Sequence, residues 1–383
     1  MKRIGSILLI LVFALSFQGG LPARAAQAAS VTLPSAVPVC PGPVNLGNTR
    51  CFAWVRPLAS SSPVGLTPAQ MKSAYGFSTS STAGAGMTIA IVDAYDLPTA
   101  ENDLNVFSSA FGLPACTTAN GCFKKVNQIG GTSYPRYNSG WGLEIALDIE
   151  WAHAIAPGAK ILLVEASSNS FTNLLAAEDY AGAHAGYVSN SWGGGEFSGE
   201  SSYDSHFQHS GVAFFVSSGD AGLPAEYPSA SPYVISVGGT KLTFNSNGTL
   251  ASETGWSSGG GGCSAYETAN AAQSAFGGYA QVNCGGKRAT PDVSLDADPN
   301  SGAAVYDSSK YSGQTGWYQV GGTSLSSPMW AGRAAVSGAV VNSAYIYGSS
   351  ITFRDITSGN NGASCLVGFD LCSGRGSWTG STP

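Results

Sequence analysis

Three short stretches of this sequence hold side chains able to do acyl-transfer chemistry. The first is Gly321-Gly322-Thr323-Ser324-Leu325-Ser326-Ser327-Pro328, which opens an apolar, Ala/Gly-rich run. Paired glycines permit a tight turn, the run reads as a buried helix, and Pro328 is expected in its first turn. Ser324 then presents a hydroxyl at a helix N-terminus, where free N–H groups favour developing negative charge. A simple capping serine is the other reading.

The second stretch, Gly142 to Glu150 continuing through His153 to Pro157-Gly158, has a helical pattern that Pro-Gly ends. Glu144 and Asp148 are four residues apart and project from one helical face. A solvated acidic face is the plain account of such a pair. The flanking Ile145, Ala146, Leu147 and Ile149 argue against it. Two carboxylates held close among apolar neighbours raise one pKa and suit proton transfer in acid. The third stretch, Ser217-Ser218-Gly219-Asp220-Ala221-Gly222, follows an apolar strand. Asp220 is either a turn residue or, when protonated, a hydrogen-bond donor to an oxyanion.

Taken together, these residues resemble the sedolisins, serine-carboxyl peptidases with a subtilisin-like fold. The resemblance runs from about Leu66 to Gly374, with the motifs in the family's order. It implies Ser324 as nucleophile, Glu144 as general base, Asp148 as the group that orients Glu144, and Asp220 as oxyanion donor. It also implies a calcium ion near the C-terminus, in Asp355-Ile356-Thr357-Ser358-Gly359 and Gly368-Phe369-Asp370. The implied ligands are the Asp355 and Asp370 side chains with the carbonyls of Ile356, Leu366 and Gly368, an all-oxygen set suited to a hard cation. The closing Ser373-Gly374-Arg375-Gly376-Ser377-Trp378 matches the family's ending only loosely.

The elements that must position these groups read as an α/β fold: a mostly parallel central sheet with helices on both faces. Apolar strands are expected at Met87–Asp93, Ile161–Glu165, Tyr187–Gly193, Val212–Ser217 and Tyr233–Gly238, with helices at Thr99–Phe111 and Thr172–Ala185. Asp93 and Asp220 then lie at the carboxyl ends of strands, where open α/β sheets build their sites. The Gly/Ala/Ser-rich stretch from Ser257 to Tyr279 reads as an ordered surface excursion tied by a disulfide.

Residues 1–25 read as a secretory signal, with Lys2 and Arg3 before an apolar run and Ala23-Arg24-Ala25 as cleavage site. Residues 26–64 read as a short pro-segment or N-terminal extension, too short for the large prodomain many sedolisins carry. Residues 65–383 are expected to form the peptidase catalytic domain with a C-terminal calcium-binding region. Eight cysteines fit an exported protein. Their spacing suggests the local pairs 40–51, 116–122, 263–284 and 365–372, although about 105 pairings are possible. Only 10% of the 383 residues are charged and the net charge is −6, a balance compatible with work in acid. Nothing basic or patterned points to nucleic acid. The expected protein is secreted and monomeric, free of the membrane once the signal is removed, and acts on protein or peptide substrates.

Two rivals remain. A subtilisin-type Ser-His-Asp protease would use Asp93, but none of His153, His184, His206 and His209 opens a helix as that class requires. An inactive binding protein on the same fold would be expected to lack one of Ser324, Glu144 or Asp220. A zinc site at His206-x-x-His209 lacks a further ligand of suitable spacing. Asp93 is a candidate extension of the carboxylate network with Trp192 as its shield, and Gly193–Glu196 is a candidate substrate-strand edge.

Overall fold

The computed structural model describes residues 35–42, 44–348 and 351–380. The expected signal segment and the start of the N-terminal extension lie outside the described residues. The central sheet has eight strands. Its path runs Leu250–Gly255, Ile235–Phe244, Ala213–Ser217, Tyr187–Asn190, Thr88–Ala94, Lys160–Ala166, Phe123–Asn127, and Val293–Asp296 pairs beside Ile235–Phe244. Every pairing is parallel except that of Leu250–Gly255. The strands that cross its middle are apolar runs buried on both faces, as a helix-covered parallel sheet requires. Among the described residues no helix is long and apolar enough to cross a membrane.

Two helices carry Glu144, Asp148 and Ser324 and pack on each other. The acidic helix, Ser139–Ile155, starts where the Asn138 side chain accepts the N–H groups of Gly140 and Trp141. It is buried continuously from Trp141 to Ile155. A helix buried all round has no solvated face, so its carboxylates must meet protein. The serine helix, Thr323–Ser337, lies against the strands Tyr187–Asn190, Ala213–Ser217 and Ile235–Phe244. On the sheet, Phe171–His184 packs against Thr88–Ala94 and Lys160–Ala166.

Three expectations need correction. Pro328 is not in the first turn but is the sixth residue of its helix, so its missing N–H falls inside the ladder. Tyr187–Gly193 is two strands rather than one. Tyr187–Asn190 stays in the central sheet, whereas Trp192–Gly195 leaves it to pair with Arg50–Cys51 and Glu226–Tyr227. The Gly259–Gly262 run is not a surface excursion. These glycines are buried, and Gly260 donates its N–H to Gly219 and accepts from the Ser218 hydroxyl, bracing the loop that bears Asp220.

All four local disulfides form: Cys40–Cys51, Cys116–Cys122, Cys263–Cys284 and Cys365–Cys372. The described part of the N-terminal extension is ordered against the body. Val37–Pro38 pairs with Trp54–Val55, which pairs in turn with Gln314–Gly321, the strand leading into the serine helix.

Candidate active site

Ser324 is the second residue of its helix and is fully buried. Gly322 precedes the helix at φ 96°, a left-handed conformation that favours glycine. The Ser324 hydroxyl donates to the Ser191 carbonyl at 3.3 Å. Glu144 lies beside it, wholly buried, with Oε2 accepting the Ala53 N–H at 3.0 Å and Oε1 unpartnered. Burial pushes the Glu144 pKa well above the usual carboxylate range and neighbouring Asp148 adds to this, while the Ser324 hydroxyl works against it.

One turn along the acidic helix, Asp148 accepts the Ser191 hydroxyl at 2.9 Å through Oδ1, leaving Oδ2 unpartnered. Its pKa is also pushed well up, by burial and then by Asp93, with the Ser191 hydroxyl opposing. Asp93 is buried with both oxygens unpartnered, and burial, Glu144 and Glu165 drive its pKa upward. It therefore joins the acidic network electrostatically. Trp192 is not its hydrogen-bonding partner, because the indole N–H goes to the Val92 carbonyl at 2.9 Å.

Asp220 meets the N-terminus of the serine helix. Its Oδ1 accepts both the N–H and the hydroxyl of Thr323 at 2.8 Å, and its Oδ2 is buried without a partner. Burial raises its pKa well above 3.8, against the pull of Thr323. A proton on Oδ2 would turn this acid into a donor beside Ser324.

The histidines are committed elsewhere. His153 Nε2 donates to the Pro114 carbonyl and His184 Nδ1 to that of Tyr180. His206 and His209 both face Asp179, at 2.8 and 3.9 Å. His153 also lies near Cys116 and Cys122, but those sulfurs are joined to each other and offer no thiolate to a metal.

The relatives decide which family this is. Residues 138–356, more than half of the chain, match the subtilase family. Kumamolisin from Bacillus sp. (strain MN-32) is 30% identical over 83% of this chain and 63% of its own length. For xanthomonalisin from Xanthomonas sp. (strain T-22) the figures are 30%, 72% and 41%. Among solved structures, Pseudomonas sedolisin, a serine-carboxyl proteinase complexed with two molecules of pseudo-iodotyrostatin, superposes with a TM-score of 0.69. It is 28% identical, and the match covers 83% of this chain and 96% of that one. The chain belongs to the subtilase family, in its sedolisin branch. It spans less than two thirds of the length of the kumamolisin and xanthomonalisin sequences.

In this sedolisin-family chain the expected calcium residues share one turn. Asp370 Oδ2 accepts the Leu366 N–H, its Oδ1 accepts the N–H groups of Cys372 and Ser373, and Asp355 Oδ2 accepts the Gly368 N–H. The Cys365–Cys372 disulfide closes the loop. Among the described residues, no hydrogen bond reaches the carbonyls of Ile356, Leu366 or Gly368. Two carboxylates and three uncommitted carbonyls fit a hard, oxygen-seeking cation.

Two functional neighbours escaped the sequence reading. Ser191 was seen only as part of a strand, and residues 50–55 only as part of an extension. The one local signal for the latter was the apolar run Cys51-Phe52-Ala53-Trp54-Val55 between two arginines.

Proposed function

We propose that this chain is a secreted, acid-acting serine-carboxyl endopeptidase. The observation that carries the reading is a serine hydroxyl at a helix N-terminus beside a buried Glu144–Asp148 pair and close to a half-committed Asp220, with each of the four histidines facing other groups. Glu144 takes the Ser324 proton as Ser324 attacks the scissile carbonyl, and Asp148 holds Glu144 in its polar setting. Protonated Asp220 donates to the oxyanion. Glu144 then returns the proton to the leaving amine, and water hydrolyses the acyl-enzyme.

Calcium, held by Asp355 and Asp370 with the carbonyls of Ile356, Leu366 and Gly368, would brace the C-terminal loop. Four disulfides support an extracellular setting. The substrates are proteins or peptides, and the chain works as a monomer.

The test is a pH–rate profile on an unfolded protein substrate beside Glu144→Gln. An acid optimum abolished in the variant is expected. A neutral optimum that survives the change would restore a histidine base and overturn the reading.

A further inference from the structure

The chain's own residues 50–53 lie across the strand edge and the helix N-terminus beside Ser324. Arg50 and Cys51 pair antiparallel with Gly193 and Trp192, the strand edge the sequence singled out as a place for substrate. The Phe52 N–H donates to the Ser191 carbonyl at 3.1 Å, the same oxygen that accepts the Ser324 hydroxyl. One residue on, the Ala53 N–H donates to Glu144 Oε2. The carbonyl between them faces the N-terminus of the serine helix. A Cβ built on Gly322 would lie 1.9 Å from the Phe52 oxygen and 2.8 Å from Asp220 Oδ2, so both oxygens flank the same point. The peptide bond from Phe52 to Ala53 thus has its carbonyl beside the acid assigned to the oxyanion and its nitrogen on the acid assigned to the proton.

The side chain agrees with the backbone. Phe52 is 2% exposed but belongs to neither apolar core cluster of the molecule. Its ring lies over Gly193, where a Cβ would come within 2.9 Å of two ring carbons. A buried aromatic ring that joins neither apolar cluster and lies against a glycine of the strand its own backbone pairs with is seated as a substrate side chain would be.

We propose that Arg50–Ala53 is this enzyme's own substrate, that Phe52–Ala53 is the bond it cuts on maturation, and that the cleft takes an aromatic side chain just before the cut bond. The inference rests on the serine-carboxyl reading above. Ser324 Oγ attacks the Phe52 carbonyl carbon while its proton passes to Glu144. The C–N bond to Ala53 breaks as that proton moves to the departing nitrogen, which becomes the new N-terminal amine. Water then hydrolyses the Phe52 ester, leaving a Phe52 carboxylate and restoring Ser324. Cys40 and Cys51 lie on the same side of the cut, so no disulfide holds the severed piece to the body. Its departure frees the cleft strand for other substrates. Until then the seated strand keeps the site closed.

The test is acidification of the purified full chain, followed by intact mass, N-terminal sequencing and assay on an unfolded protein. A new N-terminus at Ala53 is expected, forming at a rate independent of protein concentration and coinciding with the onset of activity. Ser324→Ala should stay intact at that bond. Phe52→Ala should be cut there about tenfold to a hundredfold more slowly, because the pocket loses its ring. A chain that digests the added protein while Phe52–Ala53 remains whole would overturn the proposal and leave the serine-carboxyl reading standing. So would cutting proportional to protein concentration, since the seated strand would then not be the substrate. A chain inert towards every protein at every pH would sink both.

Discussion

Pro328 lies four residues after Ser324 in one helix, and its missing N–H leaves the Ser324 carbonyl without its helical donor. The Ser191 hydroxyl approaches that carbonyl at 3.4 Å while donating to Asp148 at 2.9 Å. One hydroxyl therefore stands between the base of the serine helix and the second carboxylate of the acidic helix. Ser191→Ala should cost about 1–3 kcal/mol, the usual penalty for leaving a buried acceptor unmet. It should also raise the Asp148 pKa further and move the pH–rate profile, whereas Ser191→Thr should retain both. Denaturant titration and a pH series on the two variants check this. An unmoved profile in the alanine variant would remove Ser191 from the network.

Asp220 is a donor only while protonated, which makes its role separable from simple charge. Asp220→Ala should fold and lose on the order of a hundred- to a thousandfold in kcat. Asp220→Asn carries a donor at any pH, so it should keep part of that rate and hold it further towards neutrality. Equal losses with the same pH dependence in both variants would exclude Asp220 as the oxyanion donor.

Buried carboxyls set an expected pH dependence of stability. Burial pushes Asp307 up to about 6, Glu226 and Glu267 to about 7, and Glu165 and Glu200 to about 9. A carboxyl raised in the folded state stabilises fully below its unfolded pKa of about 4 and loses that contribution as pH rises through the folded value. The melting temperature should therefore fall as pH climbs from about 5 to 9. His153, buried and held towards its neutral form, works in the opposite direction in acid. Glu150→Gln keeps an acceptor for the Tyr306 N–H and removes one ionisable group, so its curve should be flatter on the alkaline side. A scanning-calorimetry series in which stability grows with pH would contradict the sign.

For the C-terminal loop, chelation should lower the melting temperature and added calcium should restore it. Asp355→Asn should weaken that response while leaving the metal-free protein nearly as stable, since Asp355 meets a single backbone N–H. Asp370→Asn should cost stability even without metal, because Asp370 also holds Leu366, Cys372 and Ser373. Elemental analysis finding no metal, with unchanged melting in chelator, would eliminate the calcium reading.

What was legible in the sequence is local. Glu144 and Asp148 share a face because a helix repeats every 3.6 residues. Ser324 follows a glycine pair into an apolar run, Asp220 follows a strand, and each cysteine finds a partner within 21 residues. The parallel sheet followed from apolar runs alternating with helical stretches. Tertiary structure alone decided the rest. Ser191 gains its role because the chain changes sheets there, and Gly260 braces the Asp220 loop from 42 residues away. The Ala53 N–H meets Glu144 across 91 residues of sequence, and that meeting holds residues 50–53 beside Ser324. Such contacts depend on which strand edges the folded sheet leaves open. A single sequence carries no periodic trace of them, because period and spacing report only what neighbours along the chain can touch.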